Sequence, residues 1–195
     1  MGNVTYGPPP EFVLALRDAL GIDTFVETGT NQGNTSSWAA ANFKSVHTVE
    51  RSPVLYTRAR DRLAAHPNVT IYNDDTRSFL SNLLDKIPTA LFWLDAHWSG
   101  GETAGVDDEC PLLAELAILA PTMDRNVLLI DDARLFEAPP PPPHKPEQWP
   151  NVDQVVEAAA INHPIWWKLF DDVIVIAPRR VGDIVANLVA AHRKT

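Results

Sequence analysis

The sequence predicts an α/β protein built on a doubly wound, Rossmann-like sheet of five parallel strands that ends in an antiparallel hairpin. Three observations carry this reading. Short apolar runs alternate with helical stretches along most of the chain, a glycine-bearing loop joins the first run to the helix after it, and the last two runs are separated by only Asp171 and Asp172. Alternation with short connections means parallel strands joined by right-handed crossovers, with helices on both faces. A two-residue link allows only antiparallel pairing.

A helical piece from Glu11 to Leu20 comes first. Strand-like runs follow at Thr24–Glu27, Val46–Val49, Val69–Tyr72, Ala90–Leu94 and Val127–Ile130. Each is short and apolar throughout, as expected of parallel strands covered on both faces. The helical stretches between them are Thr35–Asn42, Pro53–His66, Thr76–Asp85 and Glu109–Leu119. A further helix, Val152–Ala160, leads to the hairpin of Trp166–Phe170 and Val173–Ile176, which makes a seven-stranded mixed sheet. No internal repeat is visible, and residues 1–195 read as a single domain.

Composition narrows the partners. The chain has 195 residues, 45% hydrophobic and 21% charged, with a net charge of −9. That is enough for a real core, and the acidic balance argues against a nucleic-acid surface. No apolar run approaches the ~20 residues of a membrane span, so no membrane partner is expected. The stretch after Met1 lacks the parts of a signal peptide, and Tyr6 stands where a myristoylation signal needs Ser or Thr. The one cysteine, Cys110, excludes an internal disulfide and a cysteine-based zinc cluster. A cytoplasmic location is the default expectation.

The richest segment is Phe25-Val-Glu-Thr-Gly-Thr-Asn-Gln-Gly-Asn-Thr-Ser36, with Glu50 closing the next strand. Gly29 and Gly33 let the backbone adopt positive φ and pass close to a ligand. The helix start behind them offers unpaired N–H groups to an anionic group. A carboxylate about 20 residues on, at the end of the second strand, can hold ribose hydroxyls. A dinucleotide fingerprint or a P-loop would need other spacings, and no lysine follows.

The form E-T-G-x-x-x-G resembles the first motif of the class I S-adenosylmethionine-dependent methyltransferases. The resemblance implies that Glu27, Gly29 and Gly33, with Thr28, Thr30, Asn34 and Thr35, form the loop around S-adenosyl-L-methionine. Glu50, followed by Arg51, would take the ribose. In the same pattern an acid after the third strand meets the adenine amino group. Asp75 before Thr76 fits that place, with Asp74 the near alternative; Asp75 or Thr76 can equally cap the next helix.

The fourth strand runs into Leu94-Asp-Ala-His-Trp-Ser-Gly-Gly-Glu-Thr103 and the fifth into Ile130-Asp-Asp-Ala-Arg134. Adjacent strand ends would gather Asp95, Asp131 and Asp132, and three such carboxylates repel one another unless a cation or protons compensate. Oxygen ligands suit Mg²⁺, Mn²⁺ or Ca²⁺ rather than zinc. The arrangement resembles metal-dependent O-methyltransferases of the catechol and macrolide-sugar types. That likeness implies Asp95, Asp131 and Asp132 as ligands of a divalent cation, with Asp95 also beside the cofactor, although no lysine follows the motif as in the catechol type. His97 is the candidate general base; a metal-ligand or orienting role, or none, stays open.

Five consecutive prolines, Pro139–Pro143, favour a stiff polyproline II stretch. The Pro-rich loop over 138–150 starts at the carboxyl edge of the sheet, where it reads either as a rim or lid with Trp149 as an aromatic wall, or as a surface loop or docking strip. Ser99-Gly-Gly101 reads as a flexible turn able to fold over the site, and Glu102, Asp107, Asp108 and Glu109 as serving a helix N-terminus, with Cys110 structural in its first turn. Trp166 and Trp167 read as core and interface residues, and His47, His66, His144 and His163 as solvated or capping. The expected function is methyl transfer to a small-molecule acceptor, a sugar or phenolic hydroxyl, with a homodimer as a further expectation. A metal-independent N-methyltransferase and a non-catalytic nucleotide-binding or partner-docking module are the rivals.

Overall fold

The computed structural model describes residues 7–192; the reading of Met1 to Tyr6 lies outside them. Seven strands form one sheet in the order β3-β2-β1-β4-β5-β7-β6. Their ranges are β1 Thr24–Thr28, β2 Ser45–Val49, β3 Val69–Tyr72, β4 Leu91–Leu94, β5 Val127–Ile130, β6 Ile165–Phe170 and β7 Val173–Pro178. β1 to β5 are parallel, whereas β7 runs antiparallel to both β5 and β6.

Strand alternation explains the two-sided core. Val26, Phe92, Leu94, Leu128, Ile130 and Ile174 point to one face and pack against helices α4 (Thr76–Leu83), α5 (Leu112–Leu119) and α7 (Val152–Ala160). Phe25, Leu91, Trp93, Leu129 and Val175 point to the other, against α1 (Pro10–Leu20), α2 (Asn34–Ala40) and α8 (Gly182–His192). The expectation of full cover fails at the edges, since β3 and most of β6 are partly exposed. Trp167 is 39% exposed on edge strand β6, while Trp166 packs into the core on the α8 side.

Local chemistry sets the helix ends. α1 begins with Pro10 at its first position and stops at Gly21, whose left-handed φ of 64° lets its N–H reach Arg17 O. α3 (Pro53–Leu63) starts on Ser52 and Pro53, and α7 on a capping box of Asn151 and Gln154. α5 departs from expectation: it begins at Leu112, so Glu109 and Cys110 precede it and Pro111 occupies the cap position. α8, absent from the sequence reading, packs Val185 and Val189 onto Phe12. A short α6 (Arg134–Glu137) follows β5.

The parallel register brings five strand ends level: Tyr72, Val49, Thr28, Leu94 and Ile130 are successive neighbours across the sheet. The residues that follow them, Asn73, Glu50, Gly29, Asp95 and Asp131, therefore stand in one row at the carboxyl edge. Among the described residues no helix is long and apolar enough to cross a membrane.

Candidate active site

The loop after β1 is shaped by backbone rather than side chains. Gly29 and Thr30 both donate to Val49 O at 3.0 Å, and Gly33 N donates to Thr30 O at 2.8 Å. Gly29 has φ +85°, and a Cβ there would stand 2.3 Å from the Asp95 carbonyl oxygen. Glycine is required because β4 leaves the sheet against this loop. The two segments are also joined by Asp95 N donating to Thr28 O at 3.1 Å.

Glu27 lies beneath the loop. It is 1% exposed and accepts from Ser36 Oγ at 2.5 Å and Thr48 Oγ1 at 2.7 Å. Burial pushes its carboxyl up to about 7 despite those hydrogen bonds and a Thr35 contact. Thr30 joins the same buried network through Thr48 at 2.6 Å. Glu27, Thr30 and Thr35 thus brace the loop from below, Thr28 turns its hydroxyl to the opposite face beside Glu115, and Asn34 is exposed with its side-chain oxygen on Arg62.

Glu50 is the carboxylate at the cleft. Its Oε2 accepts from Asn31 N at 2.8 Å and its Oε1 from Ser52 N at 2.8 Å, so both oxygens are held by backbone donors. Burial pushes its pKa up, and the Ser52, Asn31 and Arg51 N–H groups pull the other way. Asn31, which the sequence reading passed over, adopts φ +50° between the two glycines. Its identity is a local signal, because asparagine tolerates the left-handed region better than most residues.

A cleft of about 630 Å³, counted with solvent at its mouth, opens along this row. Gly29, Asn31, Glu50, Arg51, Asp75 and Thr76 line one side, and Asp95, Ala96 and His97 the floor. Asp75 caps α4 by accepting from Arg77 N at 3.0 Å and pairs with the Arg77 guanidinium at 2.8 and 2.7 Å. These contacts with Arg77 hold its pKa below the usual carboxylate range against the effect of burial. Asp74 is exposed and accepts from Asp75 N at 2.7 Å. The far rim is the segment from Ser99 to Asp108, which Arg58 pairs to α3 through Glu102 and Arg77 pairs to α4 through Asp108.

The acidic constellation is arranged differently from the expected cation site. His97 Nε2 lies 2.8 Å from Asp132 Oδ2, and Nδ1 lies 3.4 Å from Asp95 Oδ1. Asp132 Oδ1 is 2.6 Å from Arg134, which also pairs with Asp172 in the β6–β7 turn. One oxygen of Asp132 therefore faces the Arg134 guanidinium and the other the His97 ring. Asp131 Oδ1 accepts from Asp132 N at 2.8 Å, and its side chain borders a smaller neighbouring cavity with Glu115 and Phe136. Among the described residues no group of three or more His, Cys, Asp or Glu is placed to hold a metal ion. As placed, Asp95, Asp131 and Asp132 do not fit the cation, because the His97 ring and the Arg134 guanidinium take the Asp132 oxygens and Asp131 is turned onto Asp132 N.

Electrostatics follow from that arrangement. Burial disfavours a charged His97, yet Asp132, Asp95 and Asp131 outweigh it and raise its pKa. Burial would raise Asp132, but His97 and Arg134 hold it down at about 2. Asp131 is pushed up to about 6 by burial and the Asp132 charge, and Asp95 also rises by burial.

Other buried polar groups flank the site. Glu109 serves no helix: its Oε2 accepts from Trp149 Nε1 at 2.9 Å, Lys145 N at 3.0 Å and faces His144 Nδ1 at 3.2 Å. His144 is thereby paired rather than solvated. Burial pushes Cys110 up to about 12, so it is no thiolate. Glu115 on α5 is raised to about 7 by burial, beside Thr76 and Thr28 hydroxyls that make no well-formed hydrogen bond with it. The expected polyproline II run is interrupted by a turn that His144 N closes onto Pro141 O at 3.2 Å, and Pro139 and Pro140 border a separate groove with Phe136 and Trp149.

No protein-family model matches the sequence, and neither does any curated protein. Solved structures do match. A caffeoyl-CoA O-methyltransferase-like protein from Staphylococcus aureus is 15% identical over 90% of this chain and 84% of its own, with a TM-score of 0.62. The N-terminal domain of EvdMO1, with SAH bound, is 14% identical over 88% of this chain and 81% of its own, with a TM-score of 0.55. The N-methyltransferase NodS from Bradyrhizobium japonicum WM9 is 9% identical over 86% of this chain and 90% of its own, with a TM-score of 0.52. At these identities the likeness is one of fold, and the chain has the Rossmann-like fold of the class I S-adenosylmethionine-dependent methyltransferases.

Proposed function

We propose that the protein transfers a methyl group from S-adenosylmethionine to a hydroxyl oxygen of a small acceptor, a sugar or phenol, with His97 as general base. One observation carries this reading: a single cleft joins the glycine loop and Glu50 to Asp95 and His97. The residues fit the cofactor. Gly29 lines the cleft with backbone alone, and Glu50 is aimed by two N–H donors while keeping acceptor capacity for a ribose. Asp75 and Thr76, at the start of α4, line the same cleft and are the residues that would meet an adenine.

When bound, S-adenosylmethionine supplies a methyl already activated on a sulfonium. The chain's work is then to position the acceptor, take its proton and exclude water. Asp132 faces His97 Nε2, and Arg134, itself paired to Asp172, holds Asp132. Nδ1, at 3.4 Å from Asp95, is beyond a good hydrogen bond and is the nitrogen available to an acceptor hydroxyl. Divalent-metal assistance forms no part of this mechanism, since both Asp132 oxygens already have protein partners, the His97 ring and the Arg134 guanidinium. The −9 charge disfavours RNA or DNA as acceptor.

The test is transfer of an isotope-labelled methyl to a panel of sugars and phenols, run with chelator and with added Mg²⁺. Chelator-resistant labelling of an oxygen, abolished in His97→Ala, is the expected result. Labelling confined to amines would overturn the oxygen assignment, and strict Mg²⁺ dependence would overturn the metal-free mechanism.

A further inference from the structure

The segment carrying the prolines and the loop after β4 meet at one buried side chain. Glu109 is 1% exposed, and a single oxygen of it receives Trp149 Nε1, Lys145 N and the His144 ring. Its backbone takes part as well: Glu109 N donates to Gln148 Oε1 at 2.8 Å, and Glu109 O accepts from Trp98 N at 2.7 Å. The Trp149 ring held in this way lies against His97, centroids 5.4 Å apart, with Phe136 at 5.7 Å and His144 at 5.2 Å on its other contacts. The two contacts on His97 are of different kinds: Asp132 faces its Nε2 at 2.8 Å, whereas Trp149 lies against the ring itself.

We infer that Glu109 is a positioning residue, which ties the 138–150 segment to the 97–109 loop and sets Trp149 as the wall that orients His97. The physical basis is that a buried carboxylate with several donors is expensive to release. Its hydrogen bonds are charge-assisted, and any one of them broken leaves a buried group unpaired. The strip is thus held from inside rather than by its prolines. That His97 is a base rests on the function proposed above; the Glu109–Trp149–His97 contact chain does not.

The test uses Glu109→Ala, Glu109→Gln and Trp149→Phe in the full-length protein. Amide exchange at Lys145 and Trp149, ring-proton NMR signals of His97, and S-adenosylhomocysteine titration are read for each. Glu109→Ala should speed exchange in the strip by roughly tenfold or more and move the His97 ring signals away from their Trp149-shifted positions. Binding of S-adenosylhomocysteine should stay within about twofold, because Glu50 and Asn31 are untouched. Glu109→Gln keeps an acceptor oxygen and should preserve most of the His97 signature. Trp149→Phe keeps a ring but loses the indole donor, and should loosen the strip even if Glu109→Ala fails to fold. His97 signals unchanged in Trp149→Phe, or in a folded Glu109→Ala, would overturn the inference. Failure of S-adenosylhomocysteine to bind wild type would instead strike the proposed function and leave this contact chain standing.

Discussion

Replacing Glu50 with glutamine probes the cleft with the smallest change of shape. Each Glu50 oxygen faces a different backbone donor, Asn31 N at 2.8 Å and Ser52 N at 2.8 Å. An amide has one oxygen, so in either orientation its NH₂ must point at one of those N–H groups. A buried donor left facing another donor costs about 2 kcal/mol. For a chain of this length that lowers the unfolding midpoint by about 4–8 °C. The amide also forfeits one charge-assisted bond to a ribose hydroxyl, so affinity for S-adenosylhomocysteine should fall roughly 10- to 100-fold. Thermal melts without ligand separate the first effect, and calorimetric titration below the midpoint measures the second. A variant melting within about 1 °C of wild type and binding within about twofold would refute the reasoning.

Three further outcomes are expected. His97→Ala should lower kcat by about 10²–10⁴-fold while S-adenosylhomocysteine affinity stays nearly constant; an unchanged kcat would remove His97 from the chemistry. Gly29→Ala should destabilise by on the order of 3 kcal/mol or more in denaturant titration, from a Cβ 2.3 Å from Asp95 O at φ +85°. Glu27 and Glu115 have folded-state values of about 7 against an ordinary 4.5, so the folded state binds the extra protons. Their stabilising effect is complete below about pH 4.5 and is lost as pH rises through about 7, so the melting temperature should fall from pH 5 to 8, less steeply in Glu115→Gln.

Much of the fold was legible because its signals are local. Val69–Tyr72, Val127–Ile130 and Val152–Ala160 end where a break in pattern or a cap ends them. The α5 start was misplaced because Glu109, acidic and ahead of a helical run, looks like helix-terminal charge. Its partners lie 35 to 40 residues away, on a segment whose prolines suggest exposure. α8 carries few buried positions, Gly182, Val185 and Val189, so its amphipathic signal is weak. At the site, strand-end acids were readable from position alone. Compensation of Asp132 by His97 and Arg134 was not, because it depends on Asp132 taking φ +57° and on Asp172 arriving from the terminal hairpin.

The central claim is that the cleft at the carboxyl edge of β1, β2 and β4 holds S-adenosylmethionine. Calorimetric titration of the wild-type protein with S-adenosylhomocysteine tests it most directly, since the product binds without reacting. The account predicts one site per chain with micromolar affinity, lost in Glu50→Ala and kept in His97→Ala. No heat of binding at millimolar ligand, or binding indifferent to Glu50, would contradict it.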